Sequence, residues 1–221
     1  MEYVHEKREL REQVINREAM PKRSLDLHRE MKTYLQDRYL DFDLAVYNHW
    51  YLSHSAGDDH TRIVIPATSL IEDHIYWQAR AIYPHVKPKY QSPRASRLDA
   101  LVVVYPPEHE DSGMIVVVEG PMDALAAADV GYTGIALMGN QPPLSVVKHL
   151  LEKTRFSNEK VVLLADLDSL DKTVELMGRL VWWASEMKIP SLHIRTASPY
   201  PYKDLAEAPP EARYKLLWEP E

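Results

Sequence analysis

The spacing of apolar residues changes twice along the chain. Residues 2–20 place apolar side chains on one stripe among charges, and the pattern resumes over 23–39, which predicts two helices. Aromatic and β-branched residues then dominate 44–52, 62–65 and 74–82. This composition predicts the strands of a small antiparallel sheet after a helical start.

From residue 114 onward, short apolar segments alternate with helical ones. The predicted strands are 114–118, 133–137, 160–165 and 191–195, and the predicted helices are 121–130, 142–154 and 169–188. Such alternation is typical of a parallel sheet with helical crossovers. We therefore expect an α/β protein, with an N-terminal α+β subdomain over 1–108 and a parallel-sheet βαβαβαβ domain over 109–221. The tail after residue 198 is rich in proline, so we expect it to be loop-like.

Composition excludes several classes of function. The 221 residues include no Cys, so disulfides, thiol catalysis and cysteine zinc sites are ruled out. The ten His are scattered without helical ligand spacing, and we expect no zinc. Apolar runs are too short to span a membrane and the N-terminus is too charged for a signal peptide, so we expect a cytoplasmic protein with no membrane partner.

The net charge of −7 is unevenly distributed. Residues 1–98 carry 15 basic and 14 acidic side chains, whereas residues 99–221 carry 11 and 19. Within the first part, residues 79–97 form a basic strip with five cations and no acid. Cations without neighbouring acids suit the phosphates of nucleic acid, and Tyr90 could stack on a base. The alternative for a proline-rich basic stretch is a solvated loop.

Carboxylates follow the predicted parallel strands at the points where those strands end. They are Glu119 and Asp123 after the first strand, Asp166 and Asp168 after the third, and Asp204 in the loop after the last. Because parallel strands end at one edge of a sheet, we expect these acids to converge. Oxygen ligands without Cys or His suit Mg²⁺ or Mn²⁺, as in two-metal phosphoryl transfer. The alternative is that such acids cap the following helices.

Several segments together resemble the catalytic core of bacterial and phage DNA primases, which contain a TOPRIM domain. The segments are RIVIP (62–66), WQARAI (77–82), PKYQSP (88–93), EGPMDALA (119–126), LLADLDS (163–169) and YKDLAE (202–207). The similarity extends over nearly the whole chain. It implies a TOPRIM-like fold for the second domain and a nucleic-acid-facing role for the first.

The resemblance also implies roles for individual residues. Glu119, Asp166 and Asp168 would be metal ligands, with Glu119 also a candidate general acid or base, and Asp123 and Asp204 would complete the acidic cluster. Arg80, Lys89 and Tyr90 would face the phosphates of template or nucleotide. The further candidate contacts to nucleic acid or nucleotide are Arg62, Lys87, Arg94, Arg97 and Lys203.

Three features depart from the primase pattern. The cysteine-based zinc ribbon of these primases is absent. Asp168 is followed by Ser169-Leu170-Asp171 where the family has Ala-Gly, and Lys203-Asp204 is followed by Leu205-Ala206 where the family has Pro-Asp. We expect no helicase module in this chain, and we expect a replicative helicase or DNA-binding subunit to act in trans. Such a compact core suggests a phage or mobile element, in which case the host cytoplasm is the compartment.

Three functions remain open at this point. The leading hypothesis is a nucleotidyltransferase that uses Mg²⁺ or Mn²⁺ and ribonucleoside triphosphates to make short primers on single-stranded DNA. The second is a TOPRIM metal-dependent nuclease, because the acids alone do not distinguish synthesis from cleavage. The third is a non-catalytic DNA-binding accessory subunit, which the altered residues around Asp171 and Ala206 motivate.

Overall fold

The structure is a computed structural model of the chain. It describes residues 20–24, 28–54, 61–69, 76–93, 100–107, 113–137, 160–164, 170–187 and 194–217. The predicted helix over 142–154, and all but the last residue of the one predicted over 2–20, lie outside these ranges. Within them, no helix is long and apolar enough to cross a lipid bilayer.

The N-terminal part contains two helices and most of an antiparallel sheet. Its elements are α1 (His28–Gln36), α2 (Phe42–Tyr47), β1 (Tyr51–Ser53), β2 (Arg62–Ser69), β3 (Tyr76–Ala81), β4 (Tyr90–Gln91) and β5 (Ala100–Val104). The C-terminal part alternates strands with helices. Its elements are β6 (Met114–Val118), α3 (Pro121–Ala128), β7 (Thr133–Ala136), β8 (Lys160–Leu164), α4 (Leu170–Glu186), β9 (Ile194–Ala197), a 3₁₀ helix (Leu205–Glu207) and α5 (Pro210–Leu217).

The described strands form one continuous mixed sheet in the order β4-β3-β2-β5-β7-β6-β8-β9, with β1 beside β2. Strands β1 to β5 pair antiparallel, and so do β5 and β7. Strands β7, β6, β8 and β9 pair parallel, as the alternating pattern predicts. The carboxyl ends of β6, β8 and β9 therefore share one edge of the sheet, where the acidic segments were expected.

Helices cover both faces of the C-terminal sheet. One face packs Val116, Val118 and Val162 against the apolar α3. The opposite face packs Ile115 and other strand residues against Leu176, Leu180 and Ala184 of α4. Burial on both faces explains why β6 and β8 read as continuous apolar runs rather than as alternating ones.

Close packing of α3 onto β7 depends on one glycine. A Cβ atom added to Gly134 would lie 2.1 Å from the main-chain oxygen of Ala124, far inside van der Waals contact. Glycine at this position lets the helix approach the strand, and α3 is thereby held against the sheet edge that carries Glu119.

Two predictions about local structure were wrong, and one strand was missed. Part of 44–52 is helical, because Asp41 caps α2 by accepting a hydrogen bond from the Leu44 N–H at 2.7 Å and Leu44 and Ala45 are buried. The proline-rich tail contains α5, in which Pro210 occupies the first turn and Leu217 packs into the core. Strand β5 was not predicted, although its residues are almost all buried.

Candidate active site

A cavity of about 570 Å³ lies where the antiparallel part of the sheet faces the end of β6. We call it the central cavity. Three walls surround it: the β3–β4 region, the turn from β6 into α3, and the loop formed by residues 203–207. The residues that line it are Arg38, Arg80, Lys89, Tyr90, Glu119, Gly120, Met122, Asp123, Lys203, Asp204, Ala206 and Glu207. Cations and carboxylates thus meet in one space, as the sequence predicted for several of them.

The β6–α3 turn presents the first carboxylates. Glu119 directly follows β6 and is half-buried, and its side chain forms no hydrogen bond or ion pair within the described part of the chain. Gly120 is the N-cap of α3 and Pro121 occupies its first position. Asp123, in the first turn, is only 7% exposed. A carboxylate at the start of a helix is favoured by the partial positive charge of the free N–H groups there.

Loop 203–207 forms the second wall and is held by two carboxylates. Oδ1 of Asp123 accepts a hydrogen bond from the N–H of Ala206 at 3.0 Å. Oδ1 of Asp204 accepts one from the N–H of Glu207 at 2.9 Å and so caps the 3₁₀ helix. Leu205, the first residue of the 3₁₀ helix, is fully buried. One oxygen of each carboxylate therefore has a structural role, of the capping kind that the sequence left open.

In the third wall, Arg80 lies between two tyrosines that hold its side chain in place. The Nε–H of Arg80 donates to the hydroxyl of Tyr34 at 2.9 Å, and its guanidinium carbon lies 4.8 Å from the ring centroid of Tyr90. Tyr34 in turn stacks beneath a second cation, since the guanidinium carbon of Arg38 lies 4.0 Å from its ring centroid. Two arginines are thus fixed by one buried tyrosine at the edge of the central cavity.

The charges of the central cavity act on one another. Burial of part of its side chain lowers the pKa of Lys89, and the neighbouring cations Arg80 and Lys203 lower it further, against the opposing effect of Asp204 and Asp123. Burial raises the pKa of Tyr90 to about 12, although the Arg80 guanidinium opposes this shift. Repulsion among clustered cations is relieved by a bound anion, so this wall is suited to hold phosphate.

Not every predicted contact residue reaches the central cavity. Arg62 is fully buried in β2 and donates a hydrogen bond from Nη1 to the carbonyl of Pro88 at 2.9 Å. Its prediction as a nucleic-acid contact was wrong, because the side chain supports the loop before β4 from the interior. Lys87 is exposed but outside the cavity lining. Arg94, Arg97, Asp166 and Asp168 lie outside the described residues.

Sequence reasoning missed two residues of the central cavity. Arg38 follows α1, and nothing in its neighbourhood distinguishes it from other surface arginines until the stack on Tyr34 is seen. Glu207, three residues after Asp204, also lines the cavity. Both depend on contacts between distant segments, which the local pattern does not encode.

The fit of a divalent metal is tested by the donor atoms available. Among the described residues, no three His, Cys, Asp or Glu side chains are grouped closely enough to hold a metal ion. The described acids that line the cavity nevertheless offer oxygen donors only, which suits Mg²⁺ or Mn²⁺. Strand β8, parallel to and paired with β6, ends at Leu164, two residues before Asp166 in the sequence.

Comparison with solved structures identifies similar folds. The chain is similar to the Aquifex aeolicus primase zinc-binding and RNA polymerase domains, with TM-score 0.58, 18% identity, and coverage of 88% of this chain and 54% of that one. It is also similar to the RNA polymerase domain of Mycobacterium tuberculosis primase DnaG, with TM-score 0.56, 15% identity, and coverage of 85% and 75%. The same domain in complex with a double-stranded DNA oligomer with a 6-nucleotide overhang gives TM-score 0.54, 13% identity, and coverage of 86% and 72%.

No protein-family model matches the chain, and no curated protein matches it significantly. The likeness to primase RNA polymerase domains is therefore one of fold. It agrees with the α/β architecture expected from the sequence.

Proposed function

We propose that this chain is a primase-type nucleotidyltransferase core that synthesises short primers on single-stranded DNA. The observation that carries the proposal is the central cavity, in which the cations Arg80, Lys89 and Lys203 face the carboxylates Glu119 and Asp204. Template-directed transfer needs both, because phosphates require cations while the reacting centre requires acids that bind metal or move a proton. The primase-like fold supports the same reading.

The chain's own residues account for substrate binding. Arg80 is preorganised by Tyr34 and Tyr90, so it loses little conformational freedom when it binds a phosphate. Lys89 and Lys203 would complete the neutralisation of a triphosphate. In the reaction, the primer 3′-oxygen bonds to the α-phosphorus while the bond from that phosphorus to the bridging oxygen breaks, and pyrophosphate leaves.

Metal binding is assigned to Glu119, Asp166 and Asp168, with Asp123 and Asp204 as neighbouring carboxylates. Mg²⁺ or Mn²⁺ bound there would neutralise charge on the transferring phosphate and acidify the attacking hydroxyl. In the alternative role, Glu119, whose side chain forms no hydrogen bond or ion pair within the described ranges, would accept that proton as a general base instead of binding metal. The partners that follow are single-stranded DNA, ribonucleoside triphosphates and a helicase or DNA-binding subunit in trans.

A single gel assay tests the proposal against its alternatives. Purified protein is incubated with end-labelled single-stranded DNA, or with unlabelled template and labelled ribonucleotides, in Mg²⁺ or Mn²⁺. Short labelled oligoribonucleotides are the expected result. Cleaved template without synthesis would instead identify a nuclease, and salt-sensitive DNA binding with neither product would identify an accessory subunit.

A further inference from the structure

Arg213 forms four buried or part-buried hydrogen bonds, although it does not line the central cavity. It lies on α5, its side chain is 0% exposed, and no sequence pattern singled it out. Nη1 donates to Oδ2 of Asp129 at 2.7 Å, which is also an ion pair. Burial lowers the pKa of Arg213 while Asp129 opposes that shift. A buried cation remains charged only when its partners compensate for the hydration that it has lost. Arg213 therefore depends on keeping these contacts.

The remaining donors of Arg213 reach main-chain oxygens in two other segments. Nε donates to the carbonyl of Leu205 at 3.2 Å, and Nη2 donates to that of Ala206 at 3.4 Å. Nη2 also donates to the carbonyl of Arg38 at 3.2 Å, although the two residues are 175 positions apart. Nearly all N–H groups of the Arg213 guanidinium are therefore hydrogen-bonded, and their acceptors lie in three separate segments of the chain.

These partners belong to three segments that each contribute a residue to the lining of the central cavity. Asp129 is the C-cap of α3, the helix whose first turn carries Asp123. Leu205 and Ala206 belong to loop 203–207, and Arg38 itself lines the cavity. One guanidinium, outside the cavity, thus joins the acidic helix, the Lys203-Asp204 loop and the arginine that stacks on Tyr34.

We propose that Arg213 is a positioning residue that fixes loop 203–207 and Arg38 relative to α3. Its importance for catalysis rests on the proposed function, whereas its control of the loop does not. Lysine cannot replace it, because a single ammonium group lacks the planar fork needed to reach all three segments.

Hydrogen exchange of individual backbone amides in Arg213→Lys tests the proposal directly. The reporters are the N–H groups of Ala206 and Glu207, which are bonded to Asp123 and Asp204. We expect both to exchange about tenfold faster or more, while those of Val116 and Val117 in β6 keep their wild-type rates. Lys215→Arg, a basic exchange at an exposed position of the same helix, is the matched control and leaves all four amides unchanged.

Two results would overturn the proposal. Wild-type exchange at Ala206 and Glu207 in Arg213→Lys would mean that the loop is held by other contacts. Equal acceleration in β6 would mean that Arg213 supports the fold as a whole rather than the loop. Neither readout requires activity, so a wild-type protein that makes no primers would refute the proposed function and leave this inference to be judged separately.

If the wild-type protein does make primers, a kinetic readout adds to the exchange data. Displacing phosphate-binding residues weakens substrate binding, so Arg213→Lys should raise KM for nucleotide about three- to tenfold, with a smaller change in kcat. An unchanged KM together with accelerated loop exchange would contradict the claim that the loop position matters for binding.

Discussion

The carboxylate of Asp123 holds the main chain of Ala206, 83 residues later, through a hydrogen bond of 3.0 Å. This bond joins the first turn of α3 to loop 203–207, so the residues after β6 and after β9 meet at one cavity. The usual roles of a strand-end acid are metal binding and capping. Here the geometry of Oδ1 is that of a main-chain anchor.

Two substitutions of Asp123 distinguish the role of its side chain as a hydrogen-bond acceptor for Ala206 from the role of its negative charge. Asp123→Ala leaves the buried N–H of Ala206 without its acceptor, and we expect a loss of about 1–3 kcal/mol in the free energy of unfolding. Asp123→Asn keeps a carbonyl oxygen at the same position, so its loss should be clearly smaller. Urea denaturation measures both, and equal losses would contradict the anchoring role.

Tyr34→Phe should weaken DNA binding without touching a charged group. The variant removes the hydroxyl that accepts from Arg80 Nε, so Arg80 is less well ordered toward phosphate. Loss of one such hydrogen bond predicts an affinity for single-stranded oligonucleotide about three- to tenfold lower, measured by fluorescence anisotropy. Tyr83→Phe, at an exposed tyrosine bonded to Glu30, is the control and should bind as wild type. Equal binding by both variants would refute this role for Tyr34.

Gly134→Ala should destabilise the protein strongly, because the new methyl group would overlap the main chain of Ala124. We expect a loss of about 1–3 kcal/mol or more in the free energy of unfolding. Gly178→Ala is the matched control: it lies in α4 with no heavy atom within 4 Å of the added Cβ. There alanine should stabilise the helix by about 1 kcal/mol. Thermal unfolding should show a lower stability for Gly134→Ala and a higher stability for Gly178→Ala than for the wild type. Unchanged stability of Gly134→Ala would contradict the close packing.

Tyr90 should ionise later than an ordinary tyrosine. Its pKa in the folded protein is raised to about 12, so between pH 10 and 12 the unfolded chain loses this proton while the folded protein keeps it. The stability that Tyr90 contributes is therefore complete below pH 10 and is lost as the pH rises toward 12. Phenolate absorbance within milliseconds of a pH jump, taken as wild type minus Tyr90→Phe, should show a midpoint near 12. A midpoint near 10 would contradict the raised pKa of Tyr90.

Regular elements could be predicted where the apolar pattern is long and strong. The predicted bounds of strands β6 and β8 and of helices α3 and α4 agree with the observed ones to within a few residues. Their apolar runs are clear in the sequence because these elements are buried on one or both faces. The helix over Phe42–Tyr47 was missed because its aromatic composition favours a strand, whereas the cap at Asp41 and burial of Ala45 determine its conformation. Tertiary contacts override weak local preference in such short segments.

The candidate site was predictable in outline but not in its connections. Strand ends indicated Glu119 and Asp204, and the absence of acids in the basic strip indicated Arg80 and Lys89. Burial of Arg62 and the reach of Arg213 could not be inferred, since each depends on main-chain carbonyls of distant segments. Local sequence carries no signal for such partners.

The central claim is that the cavity joins nucleotides on a template, and the initial rate of dinucleotide formation on single-stranded DNA tests it most directly. Wild-type protein with labelled ribonucleotides and Mn²⁺ should form the product, and Glu175→Gln, at an exposed position of α4, should do so at the same rate. Glu119→Gln and the double variant Asp166→Asn/Asp168→Asn should lower the rate at least about 100-fold while remaining folded. Dinucleotide formation at the wild-type rate by the double variant, or none by the wild type, would contradict the account.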